Sequence, residues 1–173
     1  MKRIMMMFCC VALSSSIADA ACLTSATATA PASAFTDNGD GTVTHNKTQL
    51  MWKQCSEGLS GVGTCATGTA TFIGSWQLAL QAAETLNNGA GFAGYNDWRM
   101  PNIKELDLIV EHQCSAPSID SVVFPGTVSG TYWSTTPYPP VPANVMGMNF
   151  NDSNDGVLTK LASGYLRLVR GGQ

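Results

Sequence analysis

Hydrophobic positions change their spacing along this chain, and each change marks an element. Thr42-Val43-Thr44-His45 and Gln49-Leu50-Met51-Trp52-Lys53 are two β-rich runs around an Asn46-Lys47 turn, which predicts a hairpin with Leu50 and Trp52 on one face. From Ser75 the spacing lengthens. Trp76, Ala79, Leu80, Ala83 and Leu86 recur at helical intervals, so a helix is expected over Ser75 to Asn88, capped by Ser75 and stopped by a left-handed Gly89. A second helix opens at Asn102. Pro101 fixes the approach, Glu105 sits where its carboxylate reaches back to the cap, and Ile103, Leu106, Ile109 and Val110 give a buried stripe to about His112.

Beyond Cys114 the pattern returns to short strands. Thr131 to Thr135 and Val145 to Asn149 are β-rich, and Pro137 to Pro142 reads as a surface loop that carries Tyr138. Asn151 to Gly156 predicts a hairpin turn centred on Asp155-Gly156, followed by Val157 to Leu161 and a last strand over Tyr165 to Arg170. The fold class is therefore α+β: two helices on a small, mainly antiparallel sheet with long loops, the terminal strands paired. Trp52, Trp98 and Trp133 are expected in the core.

The ends read differently. Lys2 and Arg3, an apolar run from Ile4 to Leu13, and Ala18-Asp19-Ala20 form a secretory-signal pattern cleaved after Ala20. The run is too short for a membrane span, which needs about 20 residues. Asp19 stands where a lipobox before Cys22 wants an aliphatic residue. Residues 21–34 are small and polar and read as an exposed linker, which leaves 35–173 as the domain. A secreted or periplasmic location follows.

Loss of residues 1–20 removes Lys2, Arg3, Asp19, Cys9 and Cys10, leaving 7 basic and 11 acidic residues and four cysteines. That balance, without a basic cluster, sets nucleic acid aside as a partner. Four cysteines in an exported chain imply two disulfides with three connectivities. Cys55 and Cys65 flank a loop rich in glycine, so their local bridge is favoured, and Cys22 would then join Cys114.

Several strings then occur in a familiar order: the run from Phe35 to Trp52, Ser75-Trp76, Tyr95-Asn96-Asp97-Trp98-Arg99-Met100-Pro101-Asn102-Ile103-Lys104-Glu105, Tyr132-Trp133-Ser134 and Arg167-Leu168-Val169-Arg170-Gly171-Gly172. Together they resemble the C-terminal domain family of the Legionella collagen-like adhesin, the Lcl C-terminal domain. The Arg-Met-Pro-Asn-x-x-Glu segment is also similar to an element of formylglycine-generating enzymes and their C-type-lectin-like relatives. The resemblance implies a C-type-lectin-like fold with adjacent N- and C-terminal strands and a loop region presenting the ligand surface. It also implies trimeric binding of sulfated glycosaminoglycans. Polysulfated ligands need clustered cations, and three of the seven basic residues, Arg99, Arg167 and Arg170, lie in framework motifs.

Candidate contacts are Tyr138 and Tyr95, whose rings could stack on sugars, together with Asn96, Asp97 and Arg99. Trp98, Pro101, Asn102, Glu105 and Trp133 read as structural. Asn96-Asp97 lacks the companion loop of calcium-dependent lectins. Asp37-x-x-Asp40-Gly41 and Asn149 to Gly156 are turns before they are oxygen cages, so no metal is expected. His45 and His112 are the only imidazoles and no nucleophile motif accompanies them. The copper chemistry of the formylglycine-generating enzymes is not carried over to Cys55 and Cys65. The expectation is a module without cofactor or catalysis that binds a glycan or an envelope protein, a homo-oligomer being compatible. The alternative is a structural subunit of a surface appendage or envelope complex.

Overall fold

The computed structural model describes residues 21–171; the secretory-signal reading falls on residues 1–20, outside them. In chain order the elements are β1 (Ala21–Cys22), β2 (Phe35–Asp37), β3 (Thr42–His45), β4 (Met51–Lys53), β5 (Leu59–Ser60), β6 (Thr67–Gly68), α1 (Trp76–Asn88), α2 (Ile103–Asp107), β7 (Cys114–Ser115), β8 (Thr131–Pro137), β9 (Asn144–Asn149), β10 (Asn154–Thr159) and β11 (Val169–Arg170). The α+β class, with two helices and small antiparallel sheets, is as expected. A four-stranded sheet runs in the order β11-β4-β3-β2, a three-stranded sheet in the order β10-β9-β8, and β1–β7 and β5–β6 form two small pairs.

The three-stranded sheet separates two cores, because successive side chains of a strand point to opposite faces. Tyr132 and Met148 join Trp52, Val43, Leu106, Ile109, Phe124 and Phe150 on one side. Trp133 and Val145, an odd number of positions away along the same two strands, join Trp98, Met100, Ala79 and Ala83 on the other. Trp52, Trp98 and Trp133 are all fully buried, as the pattern predicts. The last segment stitches the two cores together: Leu166 and Leu168 enter the second and Val169 the first.

α1 keeps its expected bounds, with the Ser75 hydroxyl accepting from the Leu78 N–H. Its stop differs. Gly89 has φ −92°, and the left-handed residue is Gly91, at φ 67°. There a Cβ would stand 2.2 Å from the Tyr95 carbonyl oxygen, so the close turn from Phe92 to Tyr95 selects glycine. α2 is shorter than expected and ends at Asp107 rather than near His112. The Leu108, Ile109 and Val110 N–H groups turn to carbonyls three residues back, which tightens the chain before Glu111 pairs with Ser118.

Three further expectations are corrected. Asp155-Gly156 lies inside β10, opposite Met148 and Gly147, and the chain reverses earlier, over residues 150–153. Side-chain oxygens of Asn149 and Asp152 hold that turn by accepting from the Asn151 and Asn154 N–H groups. The terminal strands of the main sheet, β2 and β11, sit at its opposite edges instead of pairing, and the sheet strand at the C-terminus shrinks to Val169–Arg170. Residues 165–168 are drawn off by other partners: Tyr165 bridges Tyr132, and the Leu166 and Leu168 carbonyls accept from Glu57 and Lys53. Finally, residues 21–34 are docked rather than free. β1 pairs with β7, Ala30 is buried, and the Glu111 carboxylate accepts from the Thr29 and Ala30 N–H groups at 2.9 Å each.

Both disulfides form in the favoured connectivity, Cys55–Cys65 across 10 residues and Cys22–Cys114 across 92. No helix among the described residues is long and apolar enough to cross a membrane.

Candidate functional site: a groove beside the Cys55–Cys65 loop

As β4 ends, Gln54, Cys55 and Ser56 carry the chain into a loop closed by the bridge to Cys65 and by the β5–β6 pair. A Cβ on Gly68 would stand 2.3 Å from the Gly58 carbonyl oxygen, so this crossing can only be made by glycine. The facing wall is residues 117–128. Asp120 starts it by accepting from the Val122 N–H at 2.9 Å, and Thr127 closes it by donating to the Phe124 carbonyl at 2.7 Å. The walls touch where Gly126 lies against the Cys65 Cβ and the Leu59 side chain, each 3.2 Å from where its own Cβ would stand.

Between them runs an open groove of about 530 Å³. Leu59, Ala66, Pro117, Pro125 and Val128 give it an apolar lining, and Thr64, Thr69, Ser121 and Thr127 supply hydroxyls. No carboxylate, amine or imidazole is among the lining residues. Such a surface can hold a ligand through apolar faces and hydroxyl hydrogen bonds.

Behind the groove lies Arg167, fully buried. One nitrogen, Nη1, donates to the Lys53 carbonyl at 3.0 Å and to the Gln54 carbonyl; Nη2 donates to Thr127 Oγ1 at 2.6 Å and Ser56 Oγ at 3.3 Å. The guanidinium carbon stands 4.8 Å from the Phe124 ring centre. Ser56 also shares a hydrogen bond of 2.7 Å with the Tyr132 hydroxyl, which accepts from the Val128 N–H at 3.1 Å. One side chain therefore ties both walls of the groove. Burial pulls the guanidinium below the ordinary arginine value, opposed by the Tyr132 hydroxyl and Glu57.

The predicted contact residues fall elsewhere. Tyr95, Asn96 and Asp97 are exposed on one strip after α1. Arg170 crosses it, its guanidinium carbon 3.7 Å from the Tyr95 ring centre and its nitrogens on the Asp97 carboxylate at 2.7 and 3.2 Å. The hydrogen bond from Arg170, more than its charge, holds the Asp97 carboxyl below its usual range. Arg99 turns away from this strip to Glu105, at 2.7 and 2.8 Å, and to the Gly171 carbonyl at 3.0 Å. Tyr138 is half-buried on the β8–β9 connection, and no hydrogen bond or ring contact among the described residues brings it to Tyr95.

Other candidate chemistry is used inside the fold. Among the described residues, no group of three or more His, Cys, Asp and Glu side chains could hold a metal ion. The Asp37 and Asp40 carboxylates accept from the Gly39 and Thr42 N–H groups. His45 Nδ1 lies 2.7 Å from the Thr48 hydroxyl, and burial, with Lys47 nearby, lowers its pKa. The Trp98 backbone is clamped by the Asn87 amide at 2.7 and 2.9 Å, which fixes the strip to the end of α1.

The Lcl C-terminal domain family model matches residues 41–170, a span that takes in both disulfide-loop cysteines, both helices and Arg167. The chain belongs to the Lcl C-terminal domain family. Comparison with curated proteins returned no match. Within this Lcl C-terminal domain the groove residues Ser121 and Thr127 had no motif to announce them. Arg167 stood in a recognised string but read as framework. The signals that could have marked the groove are Gly58, Gly61 and Gly63 between two cysteines and Pro125-Gly126 in the facing segment, but neither names a ligand surface by itself.

Proposed function

We propose that this protein is an exported binding module of the adhesin type that holds a glycan in the groove between the Cys55–Cys65 loop and residues 117–128, without transforming it. The observation that carries this reading is the lining itself. It combines four hydroxyl side chains with apolar surface and offers no carboxylate, amine or imidazole to activate a hydroxyl or move a proton. Family membership supports an adhesin-like role at the cell surface, and two disulfides suit an oxidising compartment.

Polysulfated chains fit this member poorly. Arg99 is bound to Glu105, Arg170 to Asp97, and Arg167 is buried, so the framework guanidiniums are not assembled into an exposed cationic face. A glycan array probed with the purified full chain tests the proposal. Binding to a defined glycan class, lost on Thr127→Val and Ser121→Val but kept on Tyr138→Ala, supports the groove. Binding that tracks Tyr95 or Tyr138 places the ligand elsewhere.

A second reading, a subunit that docks an envelope protein, draws on β10. This six-residue strand lies at the edge of its sheet, with Val157 exposed and Leu161 just beyond it at 85% exposure. An exposed edge of this length can accept a partner strand. Capture of one envelope protein that is abolished by Val157→Lys, with no glycan bound, would favour it.

A further inference from the structure

We propose that the groove takes a carboxylate-bearing sugar, its carboxylate seated beside Thr127 and drawn there by the charge of Arg167. This rests on the groove being the binding site and adds the chemical class of its ligand.

The first observation is a charge without a counter-charge. Every hydrogen-bonding group around Arg167 is neutral: the Lys53 and Gln54 carbonyls and the Ser56, Thr127 and Tyr132 hydroxyls. Among the described residues the ion pairs are Lys53–Glu57, Arg99–Glu105 and Arg170–Asp97, so no carboxylate pairs with Arg167. Glu57 acts on it only at a distance and is held by the Lys53 ammonium at 2.5 Å. Lys53, Glu57 and Arg167 therefore leave one positive charge over. Arg167 Nε is buried without a hydrogen-bond partner. A cation removed from water and met only by neutral dipoles and the Phe124 ring is costly, and a neighbouring anion relieves that cost.

The second observation is where the charge can be felt. Thr127 both receives the Arg167 Nη2–H at 2.6 Å and lines the groove. A hydroxyl that accepts from a guanidinium becomes a stronger donor. Its proton, given to the Phe124 carbonyl at 2.7 Å, can swing to an incoming oxygen. Nothing in the groove lining carries a charge that would cancel the field, and the low-dielectric surroundings extend its reach.

The ligand class follows from the rest of the lining. Thr64, Thr69 and Ser121 suit the hydroxyls of a sugar ring, and the proline faces suit its apolar side. One excess cation matches one carboxylate rather than a dense run of sulfates, which the acidic balance of the chain outside the groove would repel. A hexuronate meets all of these conditions.

The test titrates the isotopically labelled full chain with sodium glucuronate and, separately, with glucose, following backbone amide resonances. Glucuronate is expected to shift the Gly126, Thr127 and Val128 signals at about tenfold lower concentration than glucose, an advantage that shrinks in high salt. Thr127→Val should remove that advantage with near-UV circular dichroism unchanged, and Thr127→Ser should keep it. Equal response to both sugars at these residues overturns the charge inference and leaves the groove reading standing. Shifts from neither sugar in the groove overturn both, and a Thr127→Val protein that still prefers glucuronate overturns the role of Thr127.

Discussion

Arg99 and Glu105 meet through two parallel hydrogen bonds of 2.7 and 2.8 Å, and the same Glu105 carboxylate accepts from the Asn102 N–H at 2.8 Å. Asn102 returns the favour by accepting from the Glu105 N–H at 3.0 Å. One carboxylate thus closes the α2 capping box and anchors the guanidinium that holds the Gly171 carbonyl. Glu105→Ala removes the cap contact and leaves a half-buried guanidinium without its carboxylate, so a loss of about 2–3 kcal/mol is expected in urea unfolding. Asn102→Ala should cost only about 1 kcal/mol, the usual worth of a helix cap. Equal losses for the two variants would contradict this arrangement.

Glu111 and Glu105 are expected to make the fold sensitive to acid. Burial opposes ionisation of the Glu111 carboxyl, but N–H groups of Thr29, Ala30 and Gln113 and the Thr29 hydroxyl outweigh it and leave the pKa below the ordinary 4.5. Glu105 is lowered in the same sense: burial raises it, and Arg99 and the Asn102 N–H more than reverse that. An acid with a lowered folded-state pKa contributes stability above its unfolded value, lost as pH falls through the folded one. Stability from these groups should therefore be fully present above about pH 5 and decline below about pH 4.5. Glu111→Gln should flatten part of that decline, and hydrogen exchange at Thr29 and Ala30 should rise in the variant at neutral pH.

The two disulfides should separate stability from binding. On the chain-entropy view, opening the 92-residue Cys22–Cys114 link costs about 4–5 kcal/mol, and opening the 10-residue Cys55–Cys65 link about 3. Cys22→Ser should thus lower the melting temperature more than Cys55→Ser. Ligand binding should respond in the opposite order, because Cys65 lines the groove. Denaturation and binding measured on both variants check this.

Gly147 tests how tightly the central sheet is packed. A Cβ there would meet the Leu158 side chain at 2.3 Å and the Tyr132 carbonyl oxygen at 2.9 Å. Gly147→Ala should cost about 1–3 kcal/mol through overpacking. Gly156→Ala, directly opposite in β10 with open space around it, should be nearly neutral. The melting temperatures of the two variants decide.

Much of the frame could be read from the residues. Local signals were reliable where one short-range force decides: Ser75 and Asn102 as caps, the 3.6-residue stripe of α1, the alternation at Leu50 and Trp52, and the glycine-rich stretch between Cys55 and Cys65. Readings failed where a distant partner claimed the backbone. Residues 165–168 have strand composition, yet their carbonyls are taken by Lys53 and Glu57, and Arg167 is pulled inward by partners more than a hundred positions earlier. The arm at 21–34 looked like a linker because its docking depends on Glu111, far along the chain. The groove was illegible for the same reason: its walls come from two loops that meet only after folding. Asp155-Gly156 carries a strong turn signal, but the Asn149 and Asp152 side chains set the reversal earlier.

The final six residues of the frame, Tyr165 to Arg170, touch nearly everything that matters. They bridge β8 and β4, fill both cores and supply the guanidinium that pins the groove. A substitution in this segment is therefore felt in sheet, cores and groove at once, which makes it the keystone of the domain.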